Sequence, residues 1–141
     1  MRTRWLVGCL LVLTLGCGSR KFAPVSGKVT LNGLPLANAL VAFNPIPPEG
    51  SGQAGPGSIG TTDADGVFTL RVNSDQSGAL VGKHRVGITA QVPAGDTDTR
   101  QPRRRGAATK PLPRRYNEET TLTFDVPPGG SDQAIFELTS P

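Results

Sequence analysis

The residues most able to do chemistry lie between Arg100 and Arg115, where Arg100, Arg103, Arg104, Arg105, Lys110, Arg114 and Arg115 place seven cations in sixteen positions with no acid among them. Cations at that density suit an anionic surface, either lipid headgroups or acidic polysaccharide, because each contributes about 1 kcal/mol beside such a surface. The bland alternative is a solvated loop without a partner. Nucleic acid fits less well, since no aromatic residue interleaves with the arginines to stack on bases. His84 is the only histidine, and no motif marks a nucleophile or an orienting carboxylate for it, so no catalytic residue is expected. Asp63-Ala64-Asp65-Gly66 supplies half of a calcium loop. A bidentate acid is missing downstream, so a turn bonded to its own backbone is the stronger expectation. With one His and two Cys there is no zinc constellation either, and neither metal nor cofactor is expected.

The cysteines have a different chemistry, set by where they stand. Residues 1–17 run from Arg2 and Arg4 through an apolar stretch to Gly16-Cys17, the order of a charged region, a hydrophobic region and a cleavage site. The apolar run is shorter than the roughly 20 residues of a stable span. It therefore reads as an export signal and not as an anchor helix. Gly16-Cys17 resembles the lipobox of bacterial lipoprotein signals, although Thr14 stands where Leu is usual and Leu15 where a small residue is usual. Leu6-Val7-Gly8-Cys9 matches that box more closely, but cleavage there would leave almost no hydrophobic region. A simple signal peptide with an incidental cysteine is the competing reading. The resemblance implies acyl chains on Cys17, which would hold the chain to a membrane. Gly18 is not the aspartate that retains such lipoproteins at the inner membrane, which favours the outer one.

Removing the signal leaves one cysteine, no disulfide, and room for one domain. The expected organisation is a signal peptide over 1–16, a lipidated tether over 17–22, and a domain over 23–141 that carries the basic loop 100–115. Outside that loop the mature chain has 6 basic against 11 acidic residues, a net of −5, so the molecule is bipolar. Pro102, Pro111 and Pro113 with Gly106-Ala107-Ala108 keep the loop from becoming a helix.

From Ala23 onward apolar residues alternate with polar ones over short stretches. Val25, Val29 and Leu31 share one parity; so do Phe68, Leu70 and Val72; so do His84, Val86, Ile88 and Ala90; so do Leu122, Phe124 and Val126. Adding 39–44, 58–62 and 134–138 gives seven expected strands, with His84 facing inward. Asn32-Gly33 and Asp65-Gly66 offer the positive φ that tight hairpins need, and Pro127-Pro128-Gly129-Gly130 separates the last two strands. Aromatics are 5% of the chain, so Val, Leu and Ile must supply most of the core. An all-β, seven-stranded antiparallel β-sandwich follows as the simplest closure.

Val25-Ser26-Gly27-Lys28-Val29-Thr30-Leu31-Asn32-Gly33-Leu34-Pro35-Leu36-Ala37-Asn38-Ala39, Thr62-Asp63-Ala64-Asp65-Gly66-Val67-Phe68 and Gly82-Lys83-His84-Arg85-Val86 resemble the carboxypeptidase regulatory-like domain. Leu112-Pro113-Arg114-Arg115-Tyr116 and Thr121-Leu122-Thr123-Phe124-Asp125-Val126 are similar to the tail of short bacterial lipoproteins of one domain. The resemblance implies a transthyretin-like (prealbumin-like) sandwich and says little about activity; the family's usual aromatic is His84 here. The functional expectation is a non-enzymatic lipoprotein of the bacterial cell envelope. Its partners would be the membrane through Cys17 and an anionic surface or another envelope protein. The alternative is a carbohydrate- or small-ligand-binding module, for which Tyr116 is the one tyrosine left to form a sugar platform.

Overall fold

A computed structural model describes residues 20–90 and 112–140. Ten strands follow in order: β1 (Phe22–Ala23), β2 (Val25–Leu31), β3 (Leu34–Pro35), β4 (Ala39–Pro45), β5 (Ser58–Thr61), β6 (Val67–Thr69), β7 (Ala79–Leu80), β8 (Gly82–Ala90), β9 (Thr123–Val126) and β10 (Ser131–Leu138). A single 3-10 turn spans Arg114–Tyr116. The described chain is thus all-β, and every stretch expected from alternation contains a strand. The additional ones, β1, β3 and β7, are two residues each, too short to show a period. Phe22 pairs with Leu80, so it belongs to the folded domain and not to the tether.

Beside the two-stranded β1-β7 pair stand two four-stranded sheets, one running β10-β2-β3 with β6 also on β2 and the other β5-β4-β8-β9. Their apolar faces meet. Val25 and Val29 of β2, Val41 and Phe43 of β4, Val86 and Ile88 of β8, and Ala134, Phe136 and Leu138 of β10 are all buried. Lys28, Arg85 and Glu137 point out from the same strands. This is the period-two division of a two-layer sandwich. Phe43 sits at its centre, with ring centroids 6.5 Å from Phe68, 5.6 Å from Phe124 and 6.1 Å from Phe136.

The expectation of antiparallel pairing throughout is corrected at β10, which lies parallel to β2 with Ala134 opposite Gly27 and Leu138 opposite Leu31. Residues 127–130 do not close a hairpin. They carry the chain from the edge of one sheet to the edge of the other, using Gly130 at φ +81, and Ser131 N–H then donates to the Pro24 carbonyl at 2.9 Å. Asp65-Gly66 likewise links strands of different sheets, since β5 pairs with β4 and β6 with β2. Asn32 and Gly33, at φ 52 and 82, do close the tight hairpin between β2 and β3.

The parallel pair depends on Gly27, where any Cβ would run into the Ala134 carbonyl. Gly27→Ala is expected to cost about 2 kcal/mol through a forced separation of β2 and β10. Chemical denaturation would show the loss as a lower midpoint, and an unchanged midpoint would mean that the two strands lie farther apart.

Candidate functional site

The topology places the features of interest at two poles. The Val81 N–H donates to the Lys21 carbonyl at 2.9 Å, which pins the first described residues to the start of β8. β8 then runs to Ala90, opposite Ala39. At about 3.3 Å per residue, the nine steps from Val81 to Ala90 cover about 30 Å. The chain returns at Leu112, which is buried, and Arg115 is bonded at once to Thr139 beyond the end of β10. Leu138 of that strand pairs with Leu31, at the end of β2 remote from Lys21. Ala90 and Leu112, the described residues on either side of 91–111, therefore both lie toward the pole opposite Lys21. Cys17, Arg100, Arg103, Arg104, Arg105 and Lys110 lie outside the described residues.

Arg114 and Arg115 are described, and they differ. Arg115 donates to the Thr139 carbonyl at 2.9 Å and its hydroxyl at 3.0 Å, and its guanidinium carbon stands 4.9 Å from the centre of the Tyr116 ring. It is a structural clasp, held by charge-assisted hydrogen bonds and a cation–π contact. Among the described residues Arg114 has no such ties beyond an exposed pair with Glu118, N to O 3.8 Å. A pair of that kind contributes about 0–1 kcal/mol, so Arg114 could exchange Glu118 for another anion at little cost. The two arginines that read as equals in the sequence thus play different parts.

Tyr116 belongs to the same clasp. Its phenol oxygen accepts the Thr139 N–H at 3.1 Å and lies 3.2 Å from the Thr139 hydroxyl. Those bonds, with Arg115 beside them, hold its pKa below the ordinary phenol value. One face of the ring lies under the Arg115 guanidinium, which leaves less of it for a sugar than the sequence suggests.

Parity placed His84 on the inner face, and its side chain is buried there, 5.7 Å from Phe43 between ring centroids. Nδ1 lies 2.8 Å from the Gly82 carbonyl oxygen. A carbonyl only accepts, so Nδ1 carries the proton in the neutral ring and Nε2 presents a bare lone pair. Nε2 and the Ser58 hydroxyl are the buried side-chain polar atoms without a partner among the described residues. Ser58 is on β5 and His84 on β8, with β4 between them. Two strand spacings, about 10 Å, separate them, too far for a nucleophile and its base.

Asp63 Oδ1 accepts the N–H groups of Asp65 and Val67, each at 2.9 Å. That carboxylate shapes the turn. Among the described residues no three of His, Cys, Asp and Glu gather as a metal site. No helix among them is long and apolar enough to cross a membrane. A shallow cleft of about 340 Å³ opens near the Lys21 pole, lined by Ser26, Thr69, Ser131 and Asp132 with Pro24 and Gly130. It offers hydroxyls and a carboxylate but no aromatic platform.

Sequence reasoning missed the Tyr116–Thr139 clasp, which joins residues 23 apart with no periodic signal between them. It also missed the buried Thr62, whose hydroxyl donates to the Leu36 carbonyl at 2.6 Å and accepts the Ala39 N–H at 2.8 Å. Comparison with protein-family models, with curated proteins and with solved structures found no match.

Proposed function

We propose that this chain is the precursor of a lipoprotein of the bacterial cell envelope, lipidated on Cys17, which presents a non-catalytic β-sandwich for structural or adhesive contact. The observation that carries the reading is Gly16-Cys17 closing an apolar run behind Arg2 and Arg4, with the folded domain taking hold at Lys21, four residues later. So short a tether would keep the Lys21 pole near the membrane. The seven longer strands are then the sandwich of a carboxypeptidase regulatory-like domain, and the role is that of a scaffold. The separation of Ser58 from His84 supports a role without catalysis.

Polarity of the fold also sorts the readings of the basic segment. The described residues that flank 91–111, Ala90 and Leu112, lie toward the end of the sandwich opposite Lys21, and charges in physiological salt are screened over about 8 Å. That placement, with Arg114 exposed there, supports contact with an anionic polymer beyond the far pole, and the headgroups of the anchoring membrane are the alternative. Arg100, Arg103, Arg104, Arg105, Lys110 and Arg114 would make that contact, with Arg115 retained as the clasp.

Expression of the precursor in a bacterial host with labelled fatty acid tests the anchor. Label is expected in the membrane fraction for the native chain and for Cys9→Ser, and none for Cys17→Ser. Label that survives Cys17→Ser, or label absent throughout, would overturn the proposal.

A further inference from the structure

β10 is an edge strand with an unusual division along its length. The Asn32 N–H donates to the Leu138 carbonyl at 2.8 Å, so the amide groups of Leu138 face β2. Alternation along the ladder turns those of Ala134 and Phe136 the same way and those of Ile135, Glu137 and Thr139 outward, while a register shift between Ser131 and Ala134 interrupts the pattern at Gln133. At Thr139 the outward groups are already used, its N–H by the Tyr116 phenol and its carbonyl by Arg115. The Gln133 N–H donates to the Ser131 hydroxyl at 3.2 Å. The Gln133 carbonyl and both amide groups of Ile135 and Glu137 have no described partner strand. The edge is closed at its end and open in the middle.

Guarding features stand only at the two ends of the open stretch, a register shift between Ser131 and Ala134 and the exposed carboxylate of Glu137. Edge strands are commonly protected by a lysine, a proline or a bulge at the exposed position. Here the exposed position is Ile135, 61% accessible. It lies beside Lys28, which in turn lies beside the partly exposed Val67 of β6.

We propose that this edge pairs with the same edge of a second copy of the chain, antiparallel about a two-fold axis at Ile135. Only residues whose amides face outward can pair, which restricts the register to odd positions opposite odd positions. Centring on Glu137 would oppose two carboxylates, a destabilising arrangement. Centring on Ile135 sets isoleucine against isoleucine and Gln133 against Glu137. It also brings Asp132 of each copy alongside Leu138 and Thr139 of the other, where Arg115 stands. About four backbone hydrogen bonds form that use no group already engaged. A second copy fits this edge better than an unrelated strand because one register satisfies the apolar residue, the carboxylate and the arginine together. The two four-stranded sheets join into one continuous layer, and the pairing is independent of whether Cys17 carries a lipid.

Thiol cross-linking tests the register directly, on the full chain in detergent with Cys9→Ser and Cys17→Ser so that each introduced thiol is the only one. Directly opposed residues in such a pair have Cα atoms about 5.5 Å apart, within the range a disulfide spans. Mild oxidation should couple Ile135→Cys to itself as a covalent dimer. Gln133→Cys alone should not couple, since its two copies would be about 13 Å apart. An equimolar mixture of Gln133→Cys and Glu137→Cys should couple, and adding Ile135→Lys to both should reduce the yield at least tenfold. Equal coupling at Gln133 and Ile135 would overturn the register. No coupling in any of them would overturn the dimer and mean that something else, such as residues 91–111, covers the edge.

Discussion

Replacing Phe43 with Ala is expected to cost about 4 kcal/mol, a large part of the stability of a domain of this size. Phe43 has no accessible surface and is the ring that Phe68, Phe124, Phe136 and His84 all approach within 6.5 Å. Those neighbours come from both sheets, so a collapse that fills the vacated space has to move β4, β8 or β10 as a whole. A site that cannot collapse keeps its cavity and bears the full cost of truncation. Phe136→Ala should lose less, because Phe136 retains 7% accessibility and β10 is an edge strand. Urea unfolding of the three chains would rank them, with Phe43→Ala lowest. A Phe43→Ala midpoint within error of the native one would contradict a tightly packed aromatic centre.

The rank order between those two phenylalanines shows where the sequence is informative and where it stops. Alternation in Ala39-Leu40-Val41-Ala42-Phe43 and in Ala134-Ile135-Phe136-Glu137-Leu138 says which side chains face inward. It does so because a strand turns successive Cβ atoms to opposite faces whatever lies beside it. The same parity correctly aimed His84 at the core. What alternation cannot express is which strand is the neighbour. A parallel β2–β10 pair and an antiparallel β9–β10 hairpin require the same inward residues, and the Pro-Pro-Gly-Gly link permits either. The decision rests on long-range fits such as Gly27 against Ala134, which no local pattern carries.

The same limit applies to the candidate site. Charge density alone identified residues 100–115, and the division of labour between Arg114 and Arg115 appeared only once Thr139 and Tyr116 were in place. Likewise, nothing in the residues themselves says that Ala90 and Leu112, which flank 91–111, lie away from Lys21. That follows from the direction of β8 and from the return of the chain at Leu112. Charge and residue type are local properties of the sequence, whereas the end of the fold at which Ala90 and Leu112 lie is a property of topology.

His84 joins the two levels and leads to an effect of pH, a loss of stability in mild acid. Burial among aromatic rings pushes its pKa below the ordinary 6.5, with the Gly82 carbonyl and Asp125 acting in the opposite direction but too weakly to cancel it. Of the groups around the ring, Phe43 and Phe124 carry no charge; Lys83 and Arg85 are exposed on the outer face of β8, and Asp125 on that of β9. A cationic ring would have to find an acceptor for Nε2–H where none of the described residues offers one. Above pH 6.5 the ring is neutral folded or unfolded and has no effect on the balance. As pH falls through 6.5 the unfolded chain binds the proton first, so stability declines from there until the folded state also protonates. The slope contributed by this one group is at most about 1.4 kcal/mol per pH unit. Unfolding free energy measured at pH 7.5 and 5.5 should therefore fall by up to about 1.4 kcal/mol more in the native chain than in His84→Phe, which keeps the aromatic packing and removes the titration. Equal falls in the two chains would mean that the imidazole finds a partner for its proton inside the folded domain.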